Sequence, residues 1–170
     1  GSDTFTEQDV AILFQSGLVS FGRREQSSEM FRSKQFYNLS KHLVARFEWG
    51  QGDETETLSL INVHLRARAE VAPIRERQCR LIRHWTREAV LRGENIVVLG
   101  DINTETTFSD TPSKSDVGIL RGLTTPDTGD DLFDLHQFLQ PKARVSHLLA
   151  GKQFDRVLVS QSLLDNRAGK

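Results

Sequence analysis

The sequence predicts one α/β domain over residues 1–170, because short apolar runs alternate with one long segment of helical period. The apolar run 95–99 lies between glycines and indicates a strand buried on both faces. The runs 39–49 and 57–65 are strand-like and are joined by a polar, glycine-rich loop, which predicts an antiparallel hairpin. Residues 73–90 carry apolar positions at helical spacing and predict an amphipathic helix against the sheet.

The composition alone already excludes several classes of protein. The 170 residues are 37% hydrophobic, which is enough for a core, and the net charge of −1 excludes a globally basic nucleic-acid binder. A single cysteine, Cys79, excludes an internal disulfide and is expected to be a small buried hydrophobe. No apolar run is long enough to cross a membrane and no signal peptide opens the sequence, so the compartment stays open.

The remaining elements follow from local patterns. Pro73 suits the first turn of the long helix and Gly93 suits its C-terminal cap. The helix's polar face is expected to be solvated; it carries Arg75, Glu76, Arg80, Arg83 and Arg87. Further strands are predicted at 9–14, 17–24, 132–135 and 154–159, a helix at 117–123 with Asp116 as N-cap, and a mobile loop at 104–115.

Asp101 and Asn103 stand where the strand 95–99 ends. Gly100 lets the backbone turn sharply, so both side chains leave from the end of a rigid element. A carboxylate and an amide two residues apart can bind a hard cation, orient a water or contact a phosphoryl oxygen. An ordinary Asx turn explains the same two residues equally well.

Polar residues also interrupt two other strands. A period of two places Asn62 and His64 on one face of the run 57–65, and Asp155 lies in the apolar run 154–159. Taken singly, His64 fits a half-buried structural histidine and Asp155 a structural acceptor. A carboxylate in a buried strand nevertheless needs a partner, and these groups converge if the three strands are neighbours.

At these residues the sequence resembles the endonuclease/exonuclease/phosphatase superfamily, which has the deoxyribonuclease I-like fold. Residues 8–13 resemble its QDVALL strand, and 60–66 its strand ending in N-x-HLKS. The helix from Arg77-Gln78 to residue 85 is similar to its R-x-x-Q helix. Residues 97–103 resemble the GDFN signature with isoleucine in place of phenylalanine, and 154–160 the D-R/H-I-L-V-S strand.

The resemblance implies a four-layer sandwich of two mixed β-sheets flanked by helices, with the site at one edge of the sheets. It implies that Asp101 and Asn103 act on the attacking water, the scissile phosphate and a divalent ion, Mg²⁺ or Mn²⁺. It implies that His64 lies beside the phosphate and that Asp155 orients a histidine. Candidate substrate-binding residues are Asn62, Arg66, Arg68 and Arg156.

Two features of the family pattern are not found. The strands that carry its Asn and metal-binding Glu should precede Asp9, and its terminal Ser-Asp-His should follow Ser160. His147 matches a Thr-His that often precedes the last strand and is no substitute. We therefore expect the central and C-terminal part of a longer domain, with little activity if the polypeptide is complete at 170 residues.

The expected function is metal-dependent hydrolysis of phosphodiester bonds by in-line attack of an activated water. A nuclease-like substrate, and hence nucleic acid as a partner, is favoured over a phospholipid or an inositol phosphate. The alternative is a non-catalytic member or fragment that uses the fold for binding. No protein partner is indicated.

Overall fold

The computed structural model describes residues 10–24, 42–104 and 115–164. These residues form six strands and two α-helices, with short 3₁₀ turns between them. In chain order they are β1 (Ser20–Arg24), β2 (His42–Trp49), β3 (Glu56–His64), α1 (Ala72–Leu91), β4 (Asn95–Asp101), α2 (Asp116–Arg121), β5 (Phe133–Asp134) and β6 (Asp155–Val159).

The strands make one mixed sheet in the order β1-β2-β3-β4-β6-β5. β2 and β3 form the antiparallel hairpin that the sequence predicts. β3 and β4 are parallel, which requires the long crossover that α1 supplies. β6 then pairs antiparallel with β4 although more than fifty residues separate them in the chain. The two strands whose ends carry Asp101 and Asp155 are therefore neighbours, and β3 lies on the other side of β4.

The core lies between one face of this sheet and the two helices. Alternate residues of β3 and β4, such as Ile61, Val63 and Val98, are buried there with Ile82 of α1 and Leu120 of α2. The described residues thus form one sheet and one helical layer of the four layers expected. The opposite face of β3 and β4 is half-buried. No helix in the described part of the chain is long and apolar enough to span a bilayer.

The prediction of a strand at 9–14 is wrong for the residues that can be described. Residues 10–15 form no strand, Leu13 and Phe14 are exposed, and the carbonyl of Ala11 accepts a hydrogen bond from the Asn62 side chain. An apolar run becomes a strand only where another backbone offers a ladder of donors and acceptors. Asp9 and most of the loop 104–115 lie outside the described residues.

The prediction of a fully solvated charged face on α1 is also wrong. Arg75 and Arg83 are buried, because each reaches inward to a carboxylate that the sequence places far away. Arg75 pairs with Asp116, and Arg83 with Asp130. Periodicity cannot separate a buried arginine from a solvated one, since both fall outside the apolar stripe.

The second helix begins differently from the expectation. Ser115 is the N-cap, and its hydroxyl accepts the N–H of Gly118 at 2.9 Å. Asp116 lies in the first turn, and its carboxylate pairs with Arg75. Either residue is a good cap by type, so only the tertiary partner decides between them.

Gly100 is the residue that lets β4 run close to β3. Its φ is +123°, and a Cβ there would collide with the carbonyl oxygen of Val63 and approach the Asn62 Oδ1 to 2.8 Å. Gly93, the second residue after the end of α1, also has a positive φ of +75°, but a Cβ there would meet nothing within 4 Å.

We predict that Gly100→Ala lowers the free energy of unfolding by about 3 kcal/mol or more, because the collision is with backbone that cannot move away. Gly93→Ala is the matched control and should lower it by only roughly 1 to 2 kcal/mol, the strain of a left-handed residue. Urea denaturation of both variants measures the difference. Equal losses would show that φ strain alone matters at Gly100.

Candidate active site

Three polar side chains lie side by side on the half-buried face of the sheet. The register aligns His64 of β3 with Asp101 of β4, and Asp101 with Asp155 of β6. The His64 Nε2 lies 3.8 Å from the Asp101 Oδ2, close enough for electrostatic attraction but too far for a hydrogen bond. The convergence predicted from the sequence is thus present in the structure, and we name these three residues the cross-strand row.

Asp101 and Asn103 form an Asx turn at the end of β4. The backbone N–H of Asn103 donates to the Asp101 Oδ1 at 2.9 Å, and Asn103 adopts a left-handed φ of 52°. The buried Asn103 side chain donates through Nδ2 to the carbonyl of Leu65 at 3.0 Å. The turn interpretation and the site interpretation therefore do not exclude each other, because the turn itself places both polar groups at the end of the strand.

Burial raises the pKa of Asp101 above its ordinary value. The hydrogen bond from the backbone of Asn103 opposes this shift, as does the attraction of His64. The negative charge of Asp155 adds to the rise, and the nearby His147 lowers the pKa slightly. A carboxyl group that is harder to ionise is a stronger base once ionised, which suits a group that takes a proton from water.

A turn that precedes β6 fixes Asp155. The hydroxyl oxygen of Ser146 accepts the backbone N–H groups of Phe154 at 3.0 Å and of Asp155 at 2.9 Å. The Asp155 side chain itself is exposed. The Ser146 hydroxyl therefore holds the start of β6 through the backbone. The Asp155 carboxylate is left accessible beside Asp101.

His147 is a neighbour of the site that sequence reasoning set aside. It packs edge to face against Phe154, with ring centroids 5.2 Å apart, and it is near enough to affect the pKa of Asp101. The signal available in the sequence was its place in the Ser146-His147 pair shortly before β6. Its proximity comes from a narrow turn closed by the pairing of His147 with Lys152.

The candidate substrate-binding residues do not all reach this face. Asn62 is half-buried on it, in the same strand as His64. Arg66 is exposed in the segment that follows β3. Arg156, by contrast, is buried on the opposite face, where its Nη1 donates to the Asp134 Oδ2 at 2.6 Å. Adjacent residues of a strand point to opposite faces, so the geometry disfavours a contact of Arg156 with a substrate beside Asp155.

The described residues do not by themselves make a complete metal site. Among them, no group of three His, Cys, Asp or Glu side chains is placed to hold a metal ion. One oxygen of Asp101 already accepts the N–H of Asn103. Mg²⁺ prefers near-octahedral oxygen coordination, so Asp101 and Asn103 would supply only part of the ligands it needs.

No model of a protein family matches the sequence, and no curated protein matches it. Solved structures do match. TDP2 from D. rerio, in complex with a single-strand DNA product, has a TM-score of 0.55 at 17% identity over 85% of this chain and 54% of its own. The human Nocturnin catalytic domain with bound sulfate has a TM-score of 0.54 at 11% identity, covering 87% and 50%. An endonuclease/exonuclease/phosphatase family protein from Bacteroides thetaiotaomicron has a TM-score of 0.53 at 12% identity, covering 87% and 53%.

The chain has the α/β fold of these solved structures, which is the deoxyribonuclease I-like fold. The fold class predicted from the sequence is confirmed. The chain spans about half the length of the solved structures that it matches. In this deoxyribonuclease I-like fold the cross-strand row occupies the ends of three adjacent strands.

We predict that Asp101→Asn stabilises the folded chain at neutral pH. Because the folded pKa of Asp101 is raised, the folded state binds this proton more tightly than the unfolded state does. Its stabilising contribution is present below the unfolded pKa and is lost as pH rises through the folded pKa. Asparagine removes the charge and keeps an acceptor for the N–H of Asn103.

Urea denaturation from pH 4 to pH 8 measures this effect. The variant should gain over the natural chain as pH rises, with a small increase in the unfolding midpoint at pH 7, since the Asp101 side chain is 34% exposed. Asp53→Asn, in an exposed 3₁₀ turn, is the control for the loss of one surface charge. A variant that is less stable than the natural chain at every pH would contradict the prediction.

Proposed function

We propose that this protein hydrolyses phosphoester bonds, with a nuclease-like phosphodiester as the favoured substrate. The observation that supports this proposal is the cross-strand row, in which two carboxylates and an imidazole meet at the ends of three adjacent strands. Such a row offers a base, a hydrogen-bond donor and an orienting charge on neighbouring strands at one edge of the sheet.

Asp101 is the proposed base. Ionised, its carboxylate aligns a water for in-line attack on phosphorus and draws a proton from it. Asn103 donates one hydrogen of its side-chain amide to the carbonyl of Leu65. Because the amide nitrogen carries two hydrogens, the second is proposed to bind a phosphoryl oxygen. Negative charge that develops on that oxygen would be stabilised more in the transition state than in the ground state.

His64 is the proposed partner of the phosphate or of the leaving oxygen. Its Nε2 faces Asp101, so a protonated His64 is held near the carboxylate and can donate a proton when the bond to the leaving group breaks. Asp155 adds the second negative charge of the row and is proposed to orient an imidazole. Asn62 and Arg66 are proposed to bind substrate oxygens beside these groups.

A nucleic-acid strand is the favoured substrate because the D. rerio TDP2 structure of the same fold holds a single-strand DNA product. A phospholipid or inositol phosphate is the second candidate within the hydrolase class. The family name of the Bacteroides thetaiotaomicron protein of the same fold itself joins nucleases with phosphatases. The exposed Arg66 would attract the phosphates of any of these substrates, so the choice must come from experiment.

A divalent cation, Mg²⁺ or Mn²⁺, belongs to this proposal through the oxygen ligands that Asp101 and Asn103 offer. When bound, such an ion supplies positive charge to the phosphoryl oxygens. Because the described residues do not complete its coordination, none of the steps above is assigned to it.

A binding module without catalysis is the proposal's rival from a different class. The exposed carboxylate of Asp155 and the half-exposed His64 serve binding as well as chemistry. The two proposals differ in one measurable respect: a binding module retains affinity for the substrate when Asp101 is changed and releases no product before or after.

We predict that Asp101→Asn lowers kcat for phosphodiester hydrolysis by on the order of 100-fold or more, since it removes a general base. The measurement uses the full-length protein with Mg²⁺, an aryl phosphodiester and a single-stranded oligonucleotide. Asp53→Asn is the control and should leave kcat unchanged. Equal turnover by the natural protein and Asp101→Asn would refute the proposed role, and no turnover by either, with retained oligonucleotide binding, would favour the binding module.

We also predict that kcat/KM of the natural protein rises with pH along an acidic limb that belongs to Asp101. Ionised Asp101 is the active form, and burial raises its pKa, so the limb should lie above the ordinary range of an aspartate. A change of about tenfold per pH unit is expected below the midpoint. In Asp101→Asn the residual activity should lose this limb; a limb unchanged in the variant would assign it to another group.

A further inference from the structure

Arg75 and Asp116 form a buried ion pair beneath the candidate site. The guanidinium Nε of Arg75 donates to the Asp116 Oδ2 at 2.7 Å, and both residues are almost entirely inaccessible to solvent. The pair joins the first turns of α1 and α2, and its two residues lie 41 positions apart in the chain. Neither residue belongs to the cross-strand row, and the proposed mechanism does not use them.

The guanidinium of Arg75 also holds the segment that follows β3. Its Nη1 donates to the carbonyl oxygens of Arg66 at 3.0 Å and of Arg68 at 2.5 Å. Arg68 adopts a left-handed φ of 78°, which a residue with a Cβ rarely takes without support. Arg75 thus fixes an unusual turn at Arg68, four residues after His64.

Asp116 holds the segment that follows β4 in the same way. Its Oδ1 accepts the hydroxyl of Thr104 at 2.6 Å and the backbone N–H of Val117 at 2.9 Å. Thr104 directly follows Asn103 and is buried. The Asp116 carboxylate therefore pairs with Arg75, accepts a backbone N–H in the first turn of α2, and holds the Asx turn of the site through Thr104.

These contacts close a ring around the end of β3 and β4. Asn103 donates to the carbonyl of Leu65, and Arg75 donates to the carbonyl of the following residue, Arg66. Arg75 pairs with Asp116, which accepts the hydroxyl of Thr104, the residue after Asn103. The backbone N–H of Leu65 in turn donates to the carbonyl of Asp101 at 2.9 Å. A shift of either loop would therefore move the other, and with it the Asp101–Asn103 turn.

Stability alone is a weak reason for such a pair. Taking both charges out of water offsets much of their attraction, and well-packed apolar residues of similar size often hold a fold equally well. The three hydrogen bonds to loop atoms, at Arg66, Arg68 and Thr104, have a use that apolar residues cannot supply, because they fix where the loops lie.

We propose that Arg75 and Asp116 are positioning residues, which hold the loops after β3 and β4 so that His64, Asp101 and Asn103 keep the geometry needed for hydrolysis. This inference rests on the proposed function. Displacement of reacting groups by about 1 Å can lower a rate on the order of 100-fold, so the effect on turnover should far exceed the effect on folding.

The test is the double variant Arg75→Met/Asp116→Leu in the full-length protein. It removes both charges together, which leaves no unpaired buried charge. Its matched control is Arg83→Met/Asp130→Leu, which removes another buried pair of the same helix. Arg83 lies eight residues further along α1, about 12 Å away, and binds the segment after α2.

We expect both double variants to fold with similar unfolding midpoints. Only Arg75→Met/Asp116→Leu should lower kcat, on the order of 100-fold, with KM changed by less than about threefold. Amide hydrogen exchange at Leu65 and Asn103 should quicken at least about tenfold in this variant and not in the control. Equal loss of kcat in both variants, or unchanged exchange at these two amides, would overturn the proposal.

Arg75→Lys keeps the test decisive if the double variant does not fold. Lysine preserves the charge opposite Asp116 but cannot make the same planar set of bonds to two carbonyls. It should remain folded, show faster exchange at Leu65 and Asn103, and lose kcat; a folded Arg75→Lys with natural kcat would refute the role. If the natural protein itself hydrolyses no phosphoester, the proposed function fails, whereas the exchange measurement still decides whether the pair holds the loops.

Discussion

The hydrogen-bonded register of β3, β4 and β6 is the constraint on which the candidate site depends. Parallel pairing aligns His64 with Asp101, and antiparallel pairing aligns Asp101 with Asp155. A slip of one residue in either ladder would send one member of the row to the opposite face. The crossover through α1 and the burial of Ile61 and Val98 against it prevent that slip, so the core and the site are fixed by the same packing.

Stability and the proposed function place opposite requirements on the charge of Asp101 at the end of β4. Partial burial makes the charge on Asp101 unfavourable, and the neighbouring Asp155 adds to this, while one backbone hydrogen bond opposes it. A protein selected for stability alone would hold a neutral residue there. The surrounding sheet tolerates the charge because hydrogen bonds hold the turn and its buried Asn103 in place. The close approach of β4 to β3 at Gly100 adds to this support.

Arginine has two distinct uses in this chain. Arg66 and Arg68 are exposed beside the site, whereas Arg75, Arg83 and Arg156 are buried against single carboxylates. The buried residues join helices and strands that are remote in the chain, and their partners lie 22 to 47 residues away. A guanidinium suits this task because its planar donors can bind a carboxylate and backbone carbonyls at once.

The sequence by itself determined the sheet's main strands, the long helix, the turn at Asp101 and the fold class, because apolar period, glycine placement and short motifs are local properties. It also determined that His64, Asp101 and Asp155 would converge if their strands were neighbours. Only the tertiary structure decided that they are neighbours, that residues 10–14 form no strand, and that Arg75 and Arg156 face inward. Those outcomes depend on contacts between residues far apart in the chain, and no local pattern encodes which distant carboxylate an arginine will meet.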